Sequence, residues 1–305
     1  MQNAKIRRTR DELKSILTTA EPMEPLIPDF VAAAKDPQLA QARPAVPMIL
    51  EQVRPYLDDI ETIPALTYTR YRDVQRYTDR MIYRVPQMEK RAKMSAAALK
   101  VLLGDDAYLN TLYDYIWSTC EESKWILPQR EDLDIDLRVA GTGFMLAEII
   151  VAMEDKLEPR IVKRVREEID RRVFTRYLSY RETWYKSTHN WNGVCNGGVG
   201  AMFLLLEEDV DRLAHGLEIV LDALDVFVNQ GFGPDGASGE GVGYWHYGLT
   251  NFTYFAELLR RRTGGEIDLL ASDRMKVIAQ YPVKVMLSPG RFFSYSDSHE
   301  HVAFH

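Results

Sequence analysis

Asp209-Val-Asp-Arg-Leu-Ala-His-Gly-Leu-Glu-Ile-Val-Leu-Asp-Ala-Leu-Asp-Val-Phe-Val-Asn229 decides the fold class. Its apolar side chains fall at Val210, Leu213, Leu217, Val220, Leu221, Leu224, Phe227 and Val228. That three-and-four spacing draws one apolar stripe down an α-helix and no stripe on a strand. Segments of the same character run over roughly 7–18, 45–57, 69–84, 88–103, 106–122, 136–154, 158–179, 196–207, 241–263 and 267–286. Asp105 or Asp106 is the expected N-cap of the helix carrying Leu109, Leu112 and Ile116. Strand-like alternation is scarce before Gly290-Arg-Phe-Phe-Ser-Tyr-Ser296, which reads as a short extended segment. The chain is therefore expected to be all-α. Helix–loop–helix pairs recur every roughly 40–50 residues, which suits a closed or curved array of helical hairpins. Pro22, Pro25, Pro28, Pro37, Pro44, Pro47 and Pro55 crowd the first quarter. Residues 1–85 are thus expected to wrap, as short helices and turns, a body formed by 86–305.

At 305 residues the chain can bury a sizeable core, and 46% hydrophobic with 27% charged residues is the composition of an ordinary globular protein. A net charge of −7 argues against a nucleic-acid partner, because phosphate binding needs a basic surface. No apolar run is long enough to span a bilayer, so no membrane partner is expected. Met1-Gln-Asn-Ala-Lys-Ile-Arg-Arg has no apolar signal core. The expected compartment is the cytoplasm as the chain stands; a leader already removed would place it in the periplasm or outside the cell. Cys120 and Cys195 make neither a disulfide framework nor a thiolate zinc site, and each reads as a small buried hydrophobe. His299, His301 and His305 with Asp297 and Glu300 are metal-ligand types, but a terminal histidine cluster is more often exposed and empty, so no metal is expected. No cofactor is expected either.

Two stretches carry chemistry. Ser187-Thr-His-Asn-Trp-Asn-Gly-Val-Cys-Asn-Gly-Gly198 packs His189, Asn190, Trp191, Asn192 and Asn196 just before an apolar helical run. The bland reading is a polar loop capping that helix. The functional reading is a sugar site, with amide donors at Asn190 and Asn192, a titratable His189 and a stacking face at Trp191. The second stretch, Gly233-Pro-Asp-Gly-Ala-Ser-Gly-Glu-Gly-Val-Gly-Tyr-Trp-His-Tyr-Gly248, belongs to a run with seven glycines in 18 positions. No strand precedes it, so it is not a dinucleotide fingerprint. Tyr244 and Tyr247 share a helix face, and Gly248 lies one turn beyond Tyr244.

Together these residue types suit β-elimination at a uronate. The proton at C5 is weakly acidic until the neighbouring carboxylate is neutralised. Asn190 and His189 fit that task. A tyrosine can then take the proton and return one to the leaving oxygen at C4, provided cationic or donor groups help it ionise. Tyr244 fits, with His189, His246 and Arg291 as candidate helpers and Glu240 as an orienting group.

At these residues the chain resembles the heparinase II/III-like polysaccharide lyases, which include glycosaminoglycan and alginate oligosaccharide lyases. The matching pieces are Trp184–Gly198, Gly233–Gly248 and Gly290–Asp297, in that order, and the likeness covers about residues 85–300. It implies an (α/α) toroid with a substrate cleft lined by inner helices, acting on an acidic oligo- or polysaccharide. It implies His189 and Tyr244, 55 positions apart, as the catalytic pair, with Asn190 neutralising the uronate. Trp125 would stand in the cleft wall; Trp191, Asn192, Glu240, His246, Tyr247 and Arg291 would line the substrate. Members of that family usually carry a β-sandwich domain after the toroid, and this chain stops where it would begin. The resemblance then implies a fragment, a shortened relative that binds without cleaving, or a site completed by a partner such as the missing β-sandwich domain.

Two other functions compete. A glycoside hydrolase needs two carboxyl groups flanking the bond, for which Asp235 and Glu240 are the nearby pair. A non-catalytic carbohydrate-binding domain needs only the aromatic and amide groups.

Overall fold

The computed structural model of the chain describes residues 3–21, 36, 38 and 45–303. Pro22, Pro25, Pro28, Pro37, Pro44 and His305 lie outside them. The described chain is mostly helical, as the apolar spacing requires. Its helices are α1 (Arg10–Thr19), α2 (Ala45–Val53), α3 (Tyr68–Tyr77), α4 (Met81–Leu102), α5 (Leu109–Cys120), α6 (Leu137–Ala152) and α7 (Pro159–Ile169), followed by α8 (Thr175–Ser179), α9 (Gly197–Leu206), α10 (Val210–Gln230), α11 (Val242–Arg262) and α12 (Asp273–Val285). Among the described residues the one sheet is an antiparallel hairpin of β1 (Met286–Ser288) and β2 (Arg291–Phe292), with Met286 opposite Phe292.

The chain divides into two compact units. One is Pro25–Arg171; in the other, Met1–Glu24 joins Arg172–His305. Residues 85 and 86, where proline density suggests a junction, are consecutive residues of α4. Pro86 sits inside that helix without ending it. Its neighbours explain why: Tyr83, Gln87, Lys90, Arg91 and Met94 are all buried on the same helix, and their packing outweighs one lost backbone hydrogen bond.

The unit Pro25–Arg171 has a polar interior on α4. Lys90 Nζ lies 2.9 Å from Glu122 Oε1, and Arg91 grips the same carboxylate with both ends of its guanidinium at 2.7 and 2.6 Å. Burial lowers the Lys90 pKa, with the Glu122 charge opposing the shift. Asp136 caps α6, its Oδ1 accepting from the backbone N–H groups of Arg138 and Val139 at 2.8 Å. Neither Asp105 nor Asp106 caps α5 as expected. The 3₁₀ turn Asp106–Tyr108 leads into that helix with no side-chain cap, and Asp105 pairs with Lys100 at 2.8 Å instead.

In the other unit, Asp209 caps α10 through the Arg212 N–H at 2.9 Å, and the stripe read from sequence is buried from Leu213 to Val228. Helix α9 packs against both α10 and α11. Gly197 and Gly200 allow it: a Cβ would come 2.8 Å from the Asn251 carbonyl at the first and 2.6 Å from the Phe255 ring at the second. Helix α1 packs on α10 through Leu13 and Leu17.

Candidate active site

Asn190 opens a helical turn that continues through a single π-turn, Asn192–Asn196, into α9. Such wide turns are rare and often lie at functional sites, but a second one, Asp170–Phe174, lies outside the two stretches, so the turn alone does not mark a site. Two amides secure this one. Asn192 donates to the carbonyls of Ser187 at 2.8 Å and Ala223 at 2.9 Å. Asn196 donates to the Tyr185 carbonyl at 3.0 Å and to Asn192 Oδ1 at 2.9 Å, and accepts from the Tyr177 hydroxyl. Burial raises the Tyr177 hydroxyl well above the ordinary tyrosine range. Asn192 is fully buried with its amide and carbonyl groups engaged, so it is scaffold here and not a substrate contact. Cys195, in the same turn, is fully buried too.

The glycine-rich stretch folds as tight turns: Gly236 and Gly241 have φ of 91° and 85°, a region L side chains avoid. Gly241 is also where the chain passes Ser298 and the Tyr295 carbonyl too closely for a Cβ. Helix α11 follows at once. Its Gly243 N–H donates to Ser298 Oγ at 2.8 Å, and the Tyr295 hydroxyl donates to the Ser238 carbonyl at 2.6 Å. The Gly290–Asp297 stretch thus packs on the Gly233–Gly248 stretch.

The first and second stretches meet at Glu240. Its Oε2 accepts the Asn190 backbone N–H and its Oε1 accepts Asn190 Nδ2, both at 2.7 Å. Four residues into α11 from Glu240 comes Tyr244, half-buried, and four further Gly248, whose added Cβ would stand 3.3 Å from Asn190 Cα. Tyr244 therefore shares the helix face that approaches Asn190, one turn away. His189 precedes Asn190 and is exposed. Asn190 itself is buried, and its Oδ1 has no hydrogen-bond partner among the described residues; the Ser187 hydroxyl is likewise buried without one among them.

Other expected residues fall elsewhere. His246 lies two residues, about 200° of helical turn, from Tyr244, so it points to the opposite side of α11. There the Thr250 hydroxyl donates to its backbone carbonyl at 2.9 Å. Arg291 sits on the β-hairpin with its Nε bonded to Glu300 at 2.8 Å. Trp191 is half-buried in the opening turn, and Tyr247 is exposed on α11. Trp125 belongs to the unit Pro25–Arg171, where it is 1% exposed and its indole N–H donates to the Thr119 carbonyl at 2.9 Å. A ring so enclosed offers no stacking face, which removes it from the expected cleft wall.

Tyr295 and Ser298 were not among the expected site residues. Their signal exists only in three dimensions, because nothing in Ser-Tyr-Ser-Asp-Ser marks which hydroxyl will hold a helix start 55 residues earlier. Nor did the sequence point to a cavity of about 630 Å³ in the same unit, whose lining includes Arg7, Arg181, Tyr185, His215, Glu218 and Asp222. Among the described residues no three His, Cys, Asp or Glu side chains converge on a metal position, and His299 and His301 are exposed. Among the same residues no helix is long and apolar enough to cross a membrane. No protein-family model matches the chain, and no curated protein matches it either.

Proposed function

We propose that the unit formed by Met1–Glu24 and Arg172–His305 carries a lyase site that cleaves uronic-acid-containing oligo- or polysaccharides by β-elimination. The observation that carries the reading is the Glu240–Asn190 clamp, which joins the two chemistry-bearing stretches with Tyr244 one turn away. In the reaction, Asn190 and His189 neutralise the uronate carboxyl so that negative charge can develop at C5. Tyr244 as phenolate takes the C5 proton. The C4–C5 double bond forms as the C4–O bond breaks, and the proton passes to the departing oxygen. Helical hairpins with chemistry at their ends suit the (α/α) toroid of the heparinase II/III-like lyases, and the order of the three matching pieces supports that family.

The geometry favours the hydrolase reading less, because its two carboxyl groups already accept protein N–H groups. Both Glu240 oxygens are held by Asn190, and Asp235 Oδ1 accepts the Ala237 N–H at 3.1 Å within its own turn. A carbohydrate-binding domain without turnover is the second reading, favoured by the charged cavity beside Tyr185. The test is incubation with uronate polymers, following the ultraviolet absorbance of the unsaturated acid. Elimination produces that signal, and Tyr244→Phe is expected to lower kcat by roughly 10²–10⁴-fold while leaving binding nearly unchanged. New reducing ends without the absorbance would mean hydrolysis. Binding without any product would mean a recognition domain.

A further inference from the structure

The Asn190 side chain offers two N–H donors and one acceptor oxygen with two lone pairs. One N–H is spent on Glu240 Oε1. The backbone N–H of the same residue, spent on Oε2, belongs to the first turn of a helix, where such groups lack partners of their own and negative charge is favoured. A single carboxylate therefore starts the helix and fixes the rotation of the amide. Turning the amide over would set its oxygen against the Glu240 oxygen. Gly248 keeps α11 close enough to hold the Asn190 Cα and Cβ in place, with an added Cβ at 3.3 and 3.4 Å from them. What remains is one N–H and Oδ1, which has no partner among the described residues.

We propose that Glu240 is a positioning residue that locks Asn190 so that it presents its acceptor oxygen, with one N–H beside it, to the substrate carboxyl. That edge complements an un-ionised carboxylic acid, which donates O–H to Oδ1 and accepts from the N–H; a carboxylate has no proton to give. The inference rests on the uronate reading above and narrows it to the acid form. Charge points the same way. The Glu240 carboxylate stands behind the amide, disfavouring a second anion, and the N–H it accepts enriches Oδ1 as an acceptor. The acid's proton is taken up from solvent as the sugar binds. An un-ionised acid is also the form whose neighbouring C–H yields to a base most readily. Because Oδ1 is enclosed, the proposal requires the shell over it to open on binding; Thr188 and His189, adjacent in sequence, are both exposed.

Two experiments test it, and they fail separately. Hydrogen exchange of the Asn190 backbone and side-chain amides, read by NMR on the full chain, is independent of any substrate. Both are expected to be protected in the native protein and to exchange at least about tenfold faster in Glu240→Gln, whose amide can accept only one of the two bonds. Equal exchange in both proteins overturns the positioning role. The second experiment compares binding to the unaltered protein of a uronate oligosaccharide, its primary uronamide and its methyl ester at neutral pH. The uronamide mimics the acid's donor and acceptor without titrating, and the ester has no donor. The expected order is uronamide at least equal to uronate, with the ester weaker by about tenfold. Uronate binding about tenfold more tightly than uronamide overturns the acid-edge assignment. If none of the three binds, the uronate reading falls and takes the acid edge with it, while the exchange measurement still decides whether Glu240 holds Asn190.

Discussion

At Gly193 an added Cβ would come 2.7 Å from both the Gly248 carbonyl and the Phe227 ring. The approach of the π-turn to α11 rests on that missing methyl group, and α11 is the helix that carries Tyr244. Gly193→Ala is therefore expected to destabilise the protein by about 1–3 kcal/mol, because neither a backbone carbonyl nor a buried ring yields cheaply. Urea unfolding is the measurement. A control separates packing from helix propensity: at Gly141, exposed within α6, a Cβ meets nothing within 4 Å, and Gly141→Ala is expected to stabilise by about 0.5–1 kcal/mol. The sequence makes residue types legible and leaves their roles open. His189, Asn190, Glu240 and Tyr244 stand out as titratable or amide groups among glycines, and the structure gathers Asn190 and Glu240 into direct contact. Asn192 stands out just as strongly and turns inward, because its position in the π-turn aims it at the Ser187 and Ala223 carbonyls. Trp125 is misread for the same reason. Whether an indole faces solvent or a neighbouring helix depends on chain that is remote in sequence.

Periodicity at the level of whole elements is the most legible signal, since 209–229 folds as Val210–Gln230 and 241–263 as Val242–Arg262. The π-turn is invisible to it, because a single wide turn leaves the three-and-four spacing on either side intact. Charge inside an element is equally hidden. On α4 the run Lys90-Arg91-x-Lys93 looks like a solvated face, yet Lys90, Arg91 and Glu122 are buried together. Glu122→Gln would leave two cations enclosed against a neutral amide, and is expected to cost about 3–5 kcal/mol in urea or thermal unfolding. A neutral result would mean that water reaches the pair. On α6, burial pushes the Glu148 carboxyl up to about 7. The folded state then keeps a proton that the unfolded chain releases from about 4.5 upward, so this group lowers stability as pH rises from about 4.5 to 7 and adds no further change above that. Glu148→Gln is expected to flatten that part of the profile, gaining on the order of 1–2 kcal/mol over the native protein at pH 8 and little at pH 4. Parallel pH–stability curves for the two proteins would show that Glu148 is solvated.

For the molecule as a whole, the start of the chain belongs with its last 134 residues, in the unit that carries Asn190, Glu240 and Tyr244. Ala4 exchanges two hydrogen bonds with the Asn229 amide, at 2.9 and 3.0 Å, across 225 positions of sequence. Ile6 is 1% exposed, Leu13 and Leu17 are buried, and charged groups ring the contact, with Arg7 at 3.0 Å from Asp225 and Lys14 at 2.9 Å from Asp211. A contact that closes so long a loop carries a closure-entropy cost, so the site-bearing unit is expected to fold slowly and to depend on its first residues. Apolar burial, not the exposed ion pairs, supplies the attachment. Ile6→Ala is expected to destabilise this unit by about 2–5 kcal/mol, the range for emptying a closed core position. Lys14→Ala is expected to leave the unfolding midpoint where it was. Hydrogen exchange along α9 and α11 reads both variants, and in Ile6→Ala it should quicken even though no residue near Asn190 has been touched. Unchanged exchange there, with faster exchange confined to α1, would mean that the N-terminal segment peels away without loosening the site.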